Sequence, residues 1–361
     1  MKGLEAPNSM KLFLACFRGV GQVVFANNPV SGVLILIGIF VSSSFVAFNG
    51  CLALLSGSVS AHVLQVDRAQ LLNGLFSFNP FLVGLSIGAL FRGDWDQPGM
   101  TLSMLTSLLS GPLCTHITLG LNYVCKRMIR APPFTSPFVV TTYVLLAASV
   151  SLSVIHIPEG VLEQQFASQQ QRSTKYDKWG AVDWLGAGSS GVAQIFLVGN
   201  PWSGLLIFAG VFLCSPILSI SLVAGSFCGL LLAFALGSDA AQAATGLWGF
   251  NTALAVAGIV FNWKLKLQIV ILSFVNACIA FLLHASLAAL FSPLGLPVLT
   301  LPFVLATMLM WTNLYNIPNM QLLAKMELST PEEAILRASA IQTLPPERDP
   351  YENEISGYSV T

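Results

Sequence analysis

Apolar residues run through this chain in blocks of about 20, the length a helix needs to cross the hydrocarbon of a bilayer, with short polar punctuation between them. Ten such stretches lie near residues 29–48, 51–66, 78–91, 101–124, 138–156, 201–215, 217–237, 250–263, 267–291 and 301–315. Several are short or interrupted by proline and glycine, and irregular backbone at membrane depth is tolerated only against protein or a wet cavity. The pattern predicts an all-α polytopic membrane protein with broken helices along a pathway. Residues 157–182 interrupt it with Glu159, Glu163, a glutamine-rich run from Gln164 to Gln171, Arg172, Lys175, Asp177 and Lys178, and read as a solvent-facing connector. From about Glu327 onward the chain is polar, with Pro345, Pro346 and Pro350 among charges, and is expected to form a disordered tail.

Composition agrees with the pattern. Of 361 residues, 55% are hydrophobic and 9% charged, with a mean hydropathy of +0.75, where soluble domains carry about 45–50% and about 25%. Formal net charge is zero, and no basic run is long enough to make nucleic acid a partner; membrane lipid is the expected surrounding. The cysteines, Cys16, Cys51, Cys114, Cys125, Cys214, Cys228 and Cys278, are scattered without metal-ligand spacing and read as packing residues, so neither metal nor cofactor is expected. Leu12 to Phe17 follows Lys2 and Lys11 in the manner of a secretory signal, but it is short and lacks a cleavage pattern, so it is expected to be retained. Ten spans starting from a cytoplasmic N-terminus put Arg68, Lys126, Arg127, Arg130, Lys264 and Lys266 on inner loops, with Lys2, Lys11, Arg18 and Lys325 on the same side. Arg92 lies outside, and only Arg172, Lys175 and Lys178 of the connector dissent, so both termini are expected in the cytoplasm.

Shifting the chain by 172 residues brings two pairs of segments into register without gaps. GVGQVVFANNPVSG (19–32) meets GVAQIFLVGNPWSG (191–204), and DRAQLLNGLFSFNPFL (67–82) meets DAAQAATGLWGFNTAL (239–254). The identities include Gln22/Gln194, Asn28/Asn200, Pro29/Pro201, Asp67/Asp239, Gly74/Gly246, Phe78/Phe250, Asn79/Asn251 and Leu82/Leu254. A third pair, APPFTSPF (131–138) and LPVLTLPF (296–303), aligns at a shift of 165 and makes Thr135 and Thr300 partners. The expected organisation is a first transmembrane repeat over 1–156, the connector over 157–182, a second repeat over 183–326 and the tail over 327–361. Five spans per half, an odd number, invert the second repeat relative to the first and direct attention to the repeat interface near mid-membrane.

The segments around Gln22 and Gln194 are short and polar and lead through Asn-Pro into a span, as half-membrane helices do. A single membrane glutamine usually bonds a neighbouring helix, but two related by the repeat converge on one passage. Phe78 and Phe250 serve either core packing or pore lining. Thr135 and Thr300, each between two prolines, either bond their own helix or face the passage. His116 and His284 lack acidic neighbours and read as packing or interhelical residues. No Asp, Glu, Lys or Arg falls within a span, whereas ion-coupled pathways carry such groups at depth. A passage lined by amides, hydroxyls and carbonyls between apolar walls suits a neutral polar solute, and ions would meet an uncompensated desolvation cost.

GQVVFANNPVSG, GLWGFN and LPVLTLPF resemble the urea transporter family, whose signature LPxxTxPF occurs once per half; the first copy departs at Ala131, and Ser190 stands at the counterpart of Arg18. The resemblance covers the chain up to about residue 315 and implies a passive plasma-membrane urea channel of ten spans and two half-helices, assembled as a homotrimer with one pore per protomer. It implies a narrow slot in which Phe25 and Phe78 flank the outer part, Leu197 and Phe250 the inner part, Leu82 and Leu254 the middle, with Gln22, Gln194, Thr135 and Thr300 among the polar lining. A channel for water, glycerol, ammonia or short amides is the nearest alternative, although the Asn-Pro pairs continue as Asn-Pro-Val and Asn-Pro-Trp where aquaporins have Asn-Pro-Ala. A membrane enzyme would need a nucleophile with its base, or a metal cluster, and the sequence suggests neither.

Overall fold

A computed structural model describes residues 8–91, 99–151, 175–323 and 330–340. Every named element in it is a helix, and the extended pairing among the described residues is one isolated bridge between Trp263 and Leu322. The first half comprises α1 (Asn8–Gln22), α2 (Pro29–Ser42), α3 (Ser44–Val63), α4 (Arg68–Leu72), α5 (Phe78–Leu90), α6 (Met100–Met128) and α7 (Ser136–Ser151). After a short 3-10 turn at Tyr176–Lys178 the second half comprises α8 (Ala181–Gln194), α9 (Pro201–Cys214), α10 (Pro216–Ala235), α11 (Ala240–Ala244), α12 (Phe250–Asn262), α13 (Leu267–Phe291) and α14 (Leu301–Asn316). A last helix, α15, covers Pro331–Ala340. Helices α2 to α5 recur as α9 to α12 at an offset of 172 residues, and α7 recurs as α14 at 165.

The repeated residues explain why the chain breaks where it does. Asn28 and Asn200 are N-caps: their side-chain oxygens accept from the amides of Val30 at 2.8 Å and Trp202 at 2.9 Å, and the prolines that follow stand at the first helical position, where no N–H is missed. Asp67 and Asp239 cap α4 and α11 through Gln70 N and Ala241 N. Gly74 and Gly246 turn the chain between α4 and α5, and between α11 and α12, with φ of 75° and 81°. A Cβ at either would lie 2.3 or 2.2 Å from the backbone nitrogen of Gly19 or Gly191, so both glycines and their neighbours are required by close approach. Phe25 and Leu197 (φ 64° and 57°) and Phe134 and Leu299 (φ 50° and 52°) repeat a left-handed backbone that side chains rarely adopt.

Among the described residues four helices are long and apolar enough to cross a membrane: α3, α6, α10, and α13 with the 3-10 turn that extends it to Leu294. The apolar helices α2, α5, α7, α9 and α12 are shorter; 14 residues rise only about 21 Å, against about 30 Å of hydrocarbon. The expected boundary between the stretches 29–48 and 51–66 falls instead at Ser43, whose hydroxyl accepts from Val46 N and starts α3, as Ser215 accepts from Leu218 N and starts α10. Apolar side chains lie on both faces of these helices. In α10, Leu218 and Leu222 are buried while Ile220 and Leu231 are exposed, the all-round hydrophobicity of a helix that meets protein on one side and lipid on the other.

The halves meet through α2 and α9, and the contact is reciprocal. Gly38 faces Ser203, Leu206 and Ile207, while Gly210, its counterpart, faces Ser31, Leu34 and Ile35, the counterparts of those three. An exchange of this kind is what a two-fold relation produces, and the small residues let the two backbones approach.

Arg92 and most of the connector lie outside the described residues, but Tyr176 and Trp179 at its end pack with Trp184 and Phe234. Within the segment expected to be a disordered tail, α15 is ordered and docked. Glu332 accepts from Ser215 Oγ with both carboxylate oxygens, at 2.9 and 2.7 Å, and from Ile217 N at 2.8 Å, so a distant carboxylate caps the N-terminus of α10. No local pattern announces such a partner. Glu332→Gln keeps the shape but removes the charge, and is expected to weaken docking of α15 by about 1–2 kcal/mol. Protease accessibility of 331–340 in detergent should rise; cleavage at the parent rate would show that the carboxylate does not hold the helix.

Candidate functional site

The predicted polar residues gather where the helices break. Gln22 ends α1 and Gln194 ends α8; both are buried, and each side-chain amide donates at 3.0 Å to a carbonyl in the neighbouring turn, Asn73 O or Thr245 O. Their own carbonyls accept from Phe25 N and Leu197 N. Each glutamine therefore ties the left-handed residue three positions on to the turn before α5 or α12. Of the two roles weighed from sequence, the bond to a neighbouring segment is present, with one amide hydrogen of each glutamine committed to a carbonyl. The first copy adds a polar cluster the second lacks. Arg18 Nη1 and Asn27 Nδ2 both donate to Asn73 Oδ1, at 3.3 and 3.1 Å, where the second half has Ser190, Gly199 and Thr245.

Thr135 and Thr300 come from opposite halves and meet, their hydroxyl oxygens 2.7 Å apart and both residues buried. One donates to the other, which leaves the pair with one further O–H to donate and open lone pairs on both oxygens. The threonine hydroxyls bond each other rather than their own helices, although the carbonyls of Thr135 and Thr300 accept from Val139 N and Val304 N as α7 and α14 begin.

What holds the threonines is a pair of residues whose repetition was visible but whose task was not. Asn79 Nδ2 donates to Phe134 O at 3.2 Å, and its Oδ1 accepts from Phe138 N at 3.3 Å. Asn251 Nδ2 donates to Leu299 O at 3.1 Å, and its Oδ1 accepts from Phe303 N at 3.2 Å. Each side chain thus clamps both ends of the turn that carries a threonine. The identity of Asn79 and Asn251 in the repeat was the signal that pointed to them. Asn251 Nδ2 also lies 3.2 Å from His284 Nδ1. The amide's orientation is set by its other two bonds, so that nitrogen accepts and the ring proton sits on Nε2. His284 is buried between Trp248 and Phe250, an interhelical role, whereas His116 is exposed.

The apolar candidates divide. Leu82 and Leu254 are fully buried in the main hydrophobic cluster, Phe250 is buried with its edge against His284, and Phe25, Phe78 and Leu197 are partly exposed at its margin. Phe25 stacks on Phe261 with ring centroids 5.3 Å apart. Helices α2, α3, α5, α7, α9, α10, α12, α13 and α14 contain no Asp, Glu, Lys or Arg, and no group of metal-ligating side chains occurs among the described residues.

Comparison with known proteins follows the same lines. A family model described as "UT: Urea transporter" matches residues 13–314. Urea transporter 1 of Ovis aries is 28% identical over 334 residues, covering 91% of this chain and 84% of the relative. Urea transporter 1 of Mus musculus is 28% identical over 314 residues, covering 83% of this chain and 78% of the relative.

Asn79→Ala would leave two buried backbone groups unpaired, at about 1–3 kcal/mol each. Asn251→Ala is expected to cost more, since His284 also loses its donor. Thermal unfolding in detergent compares the two; midpoints near the parent's for both would show that the amides do not clamp the turns.

Proposed function

The chain belongs to the urea transporter family, and we propose that it is a passive urea channel whose passage runs between the two halves, past the glutamine and threonine pairs. The meeting of Thr135 and Thr300 carries this reading, because equivalent hydroxyls from both halves converge where each threonine's own helix is interrupted. Urea is planar, with N–H donors at its edge that suit a row of acceptors and faces that suit a narrow apolar gap. Gln22 and Gln194 supply amides at the two ends, Phe25 with Phe78 and Leu197 with Phe250 flank those ends, and Leu82 and Leu254 line the middle.

The reciprocal packing of α2 and α9 supports a two-fold relation between the halves. With an odd number of crossings per half, that axis lies in the membrane plane and the repeats are inverted. We assign both termini to the cytoplasm, the plasma membrane as the location and a homotrimer with one pore per protomer as the assembly; the distribution of Lys and Arg supports the first, and the family resemblance the other two.

The apolar helices without Asp, Glu, Lys or Arg provide nothing to couple flux to an ion gradient, and Arg18 of α1 is engaged by Asn73. Urea flux in proteoliposomes is expected to be indifferent to imposed Na⁺ and H⁺ gradients and to membrane potential; flux that follows any of them would refute a channel.

Thr135→Val and Thr300→Val keep the shape while removing one hydroxyl, which costs bound urea a hydrogen bond worth about 0.5–1.5 kcal/mol. Each variant is expected to lower urea permeability per folded protein severalfold. Stopped-flow rates equal to the parent's in both would remove the threonines from the passage.

A further inference from the structure

Two ends of a repeated structure need not filter alike. Along α12, Phe250, Leu254 and Gly258 recur every four residues and Phe261 follows on the same side, so one stripe runs from the Phe250 end to the Phe261 end. Eleven residues rise about 16 Å, enough to carry that stripe along much of the passage.

At the Phe261 end sits Phe25, from the other half. Its ring stacks on Phe261 at 5.3 Å with 26° between planes, and it meets Phe303 at 6.5 Å in an edge-on contact. Gly258 fills the remaining side. A Cβ there would lie 3.4 Å from Phe25 Cζ and 3.2 Å from Phe303 Cε2. Phe303 has no room to yield, being 1% exposed with Phe134 against its ring at 5.5 Å. The Phe25 contact is by itself at ordinary van der Waals distance, but a Cβ displaced from Phe303 by a few tenths of an ångström would press on it, and Phe25 is partly exposed.

The equivalent end in the repeat is built differently. Leu197 stands for Phe25, Ser86 for Gly258 and Ala89 for Phe261, and the Ser86 hydroxyl is occupied with Val83 O and Thr142 Oγ1. Phe25 is thus backed by a stacked ring, whereas the repeat carries Leu197, Ser86 and Ala89 at the three counterpart positions and has no ring to stack there.

We infer that Phe261 and the missing side chain of Gly258 set the width of the slot at Phe25, making this end the shape filter that decides which amides pass. The inference rests on Phe25 lining the passage, as proposed above. Phe261 and Gly258 are positioning residues that act through the Phe25 ring: Phe261 supports its far face, and Gly258 gives it room to lie back.

The test measures urea and 1,3-dimethylurea permeability in proteoliposomes, per folded protein, for Phe261→Ala, Gly258→Ala, Phe25→Ala and the two double variants. Phe261→Ala lets Phe25 fall back and is expected to raise dimethylurea passage relative to urea by roughly three- to tenfold. Gly258→Ala, which favours the helix, is expected to push the ring forward and lower that ratio by a similar factor. Both effects should vanish once Phe25 is alanine, a coupling that general packing loss would not produce. Should Phe261→Ala fold poorly, Phe261→Leu takes its place, with a smaller shift in the same direction. If Phe25→Ala changes the ratio but neither backing variant does, or if their effects persist without Phe25, the inference is overturned while the slot stands. If Phe25→Ala leaves the ratio unchanged, the slot reading at this end fails and takes the inference with it.

Discussion

A helix interrupted inside a bilayer exposes carbonyls and amides that no water can satisfy, and everything else in this protein depends on how those groups are paired. The interruptions before α7 and α14 leave Phe134 O, Leu299 O, Phe138 N and Phe303 N to be matched, and the two asparagine side chains match all four. The interruptions before α5 and α12 are met by Gln22 and Gln194, which donate to Asn73 O and Thr245 O. These bonds permit broken backbone at depth, and broken backbone frees the threonine hydroxyls from their own helices. A continuous helix through Thr135 would present its hydroxyl to the preceding turn rather than to Thr300.

The sequence repeat uses each solution twice, and where the copies diverge the divergence is chemical. The repeated positions are those the backbone demands: glycines with positive φ, capping Asn and Asp, clamping Asn and Gln. Among the positions that differ are Phe25 against Leu197, Phe261 against Ala89, and Arg18 and Asn73 against Ser190 and Thr245, around the ends of the proposed passage. Backbone satisfaction uses the same side chains in both copies, whereas side chains that do not serve it are free to differ.

Much of this was legible along the chain, for a physical reason. Hydropathy reports the solvent around a segment, and apolar blocks of bilayer length predict membrane helices without knowledge of their neighbours. Caps and left-handed turns are likewise local: Asn before Pro, or Gly at a fixed place between two short helices, acts on residues within four positions of itself. The register of the repeat followed from such residues, and so did the positions of Gln22, Gln194, Thr135 and Thr300 at the breaks. Only the tertiary structure decided their partners, because those partners lie tens or hundreds of residues away. It brought Thr135 onto Thr300, assigned Asn79 and Asn251 to the threonine turns, laid Phe25 on Phe261 and seated Glu332 on the N-terminus of α10. A residue's type determines which bonds it is able to make, and the packing of two halves against each other determines which of those bonds it makes.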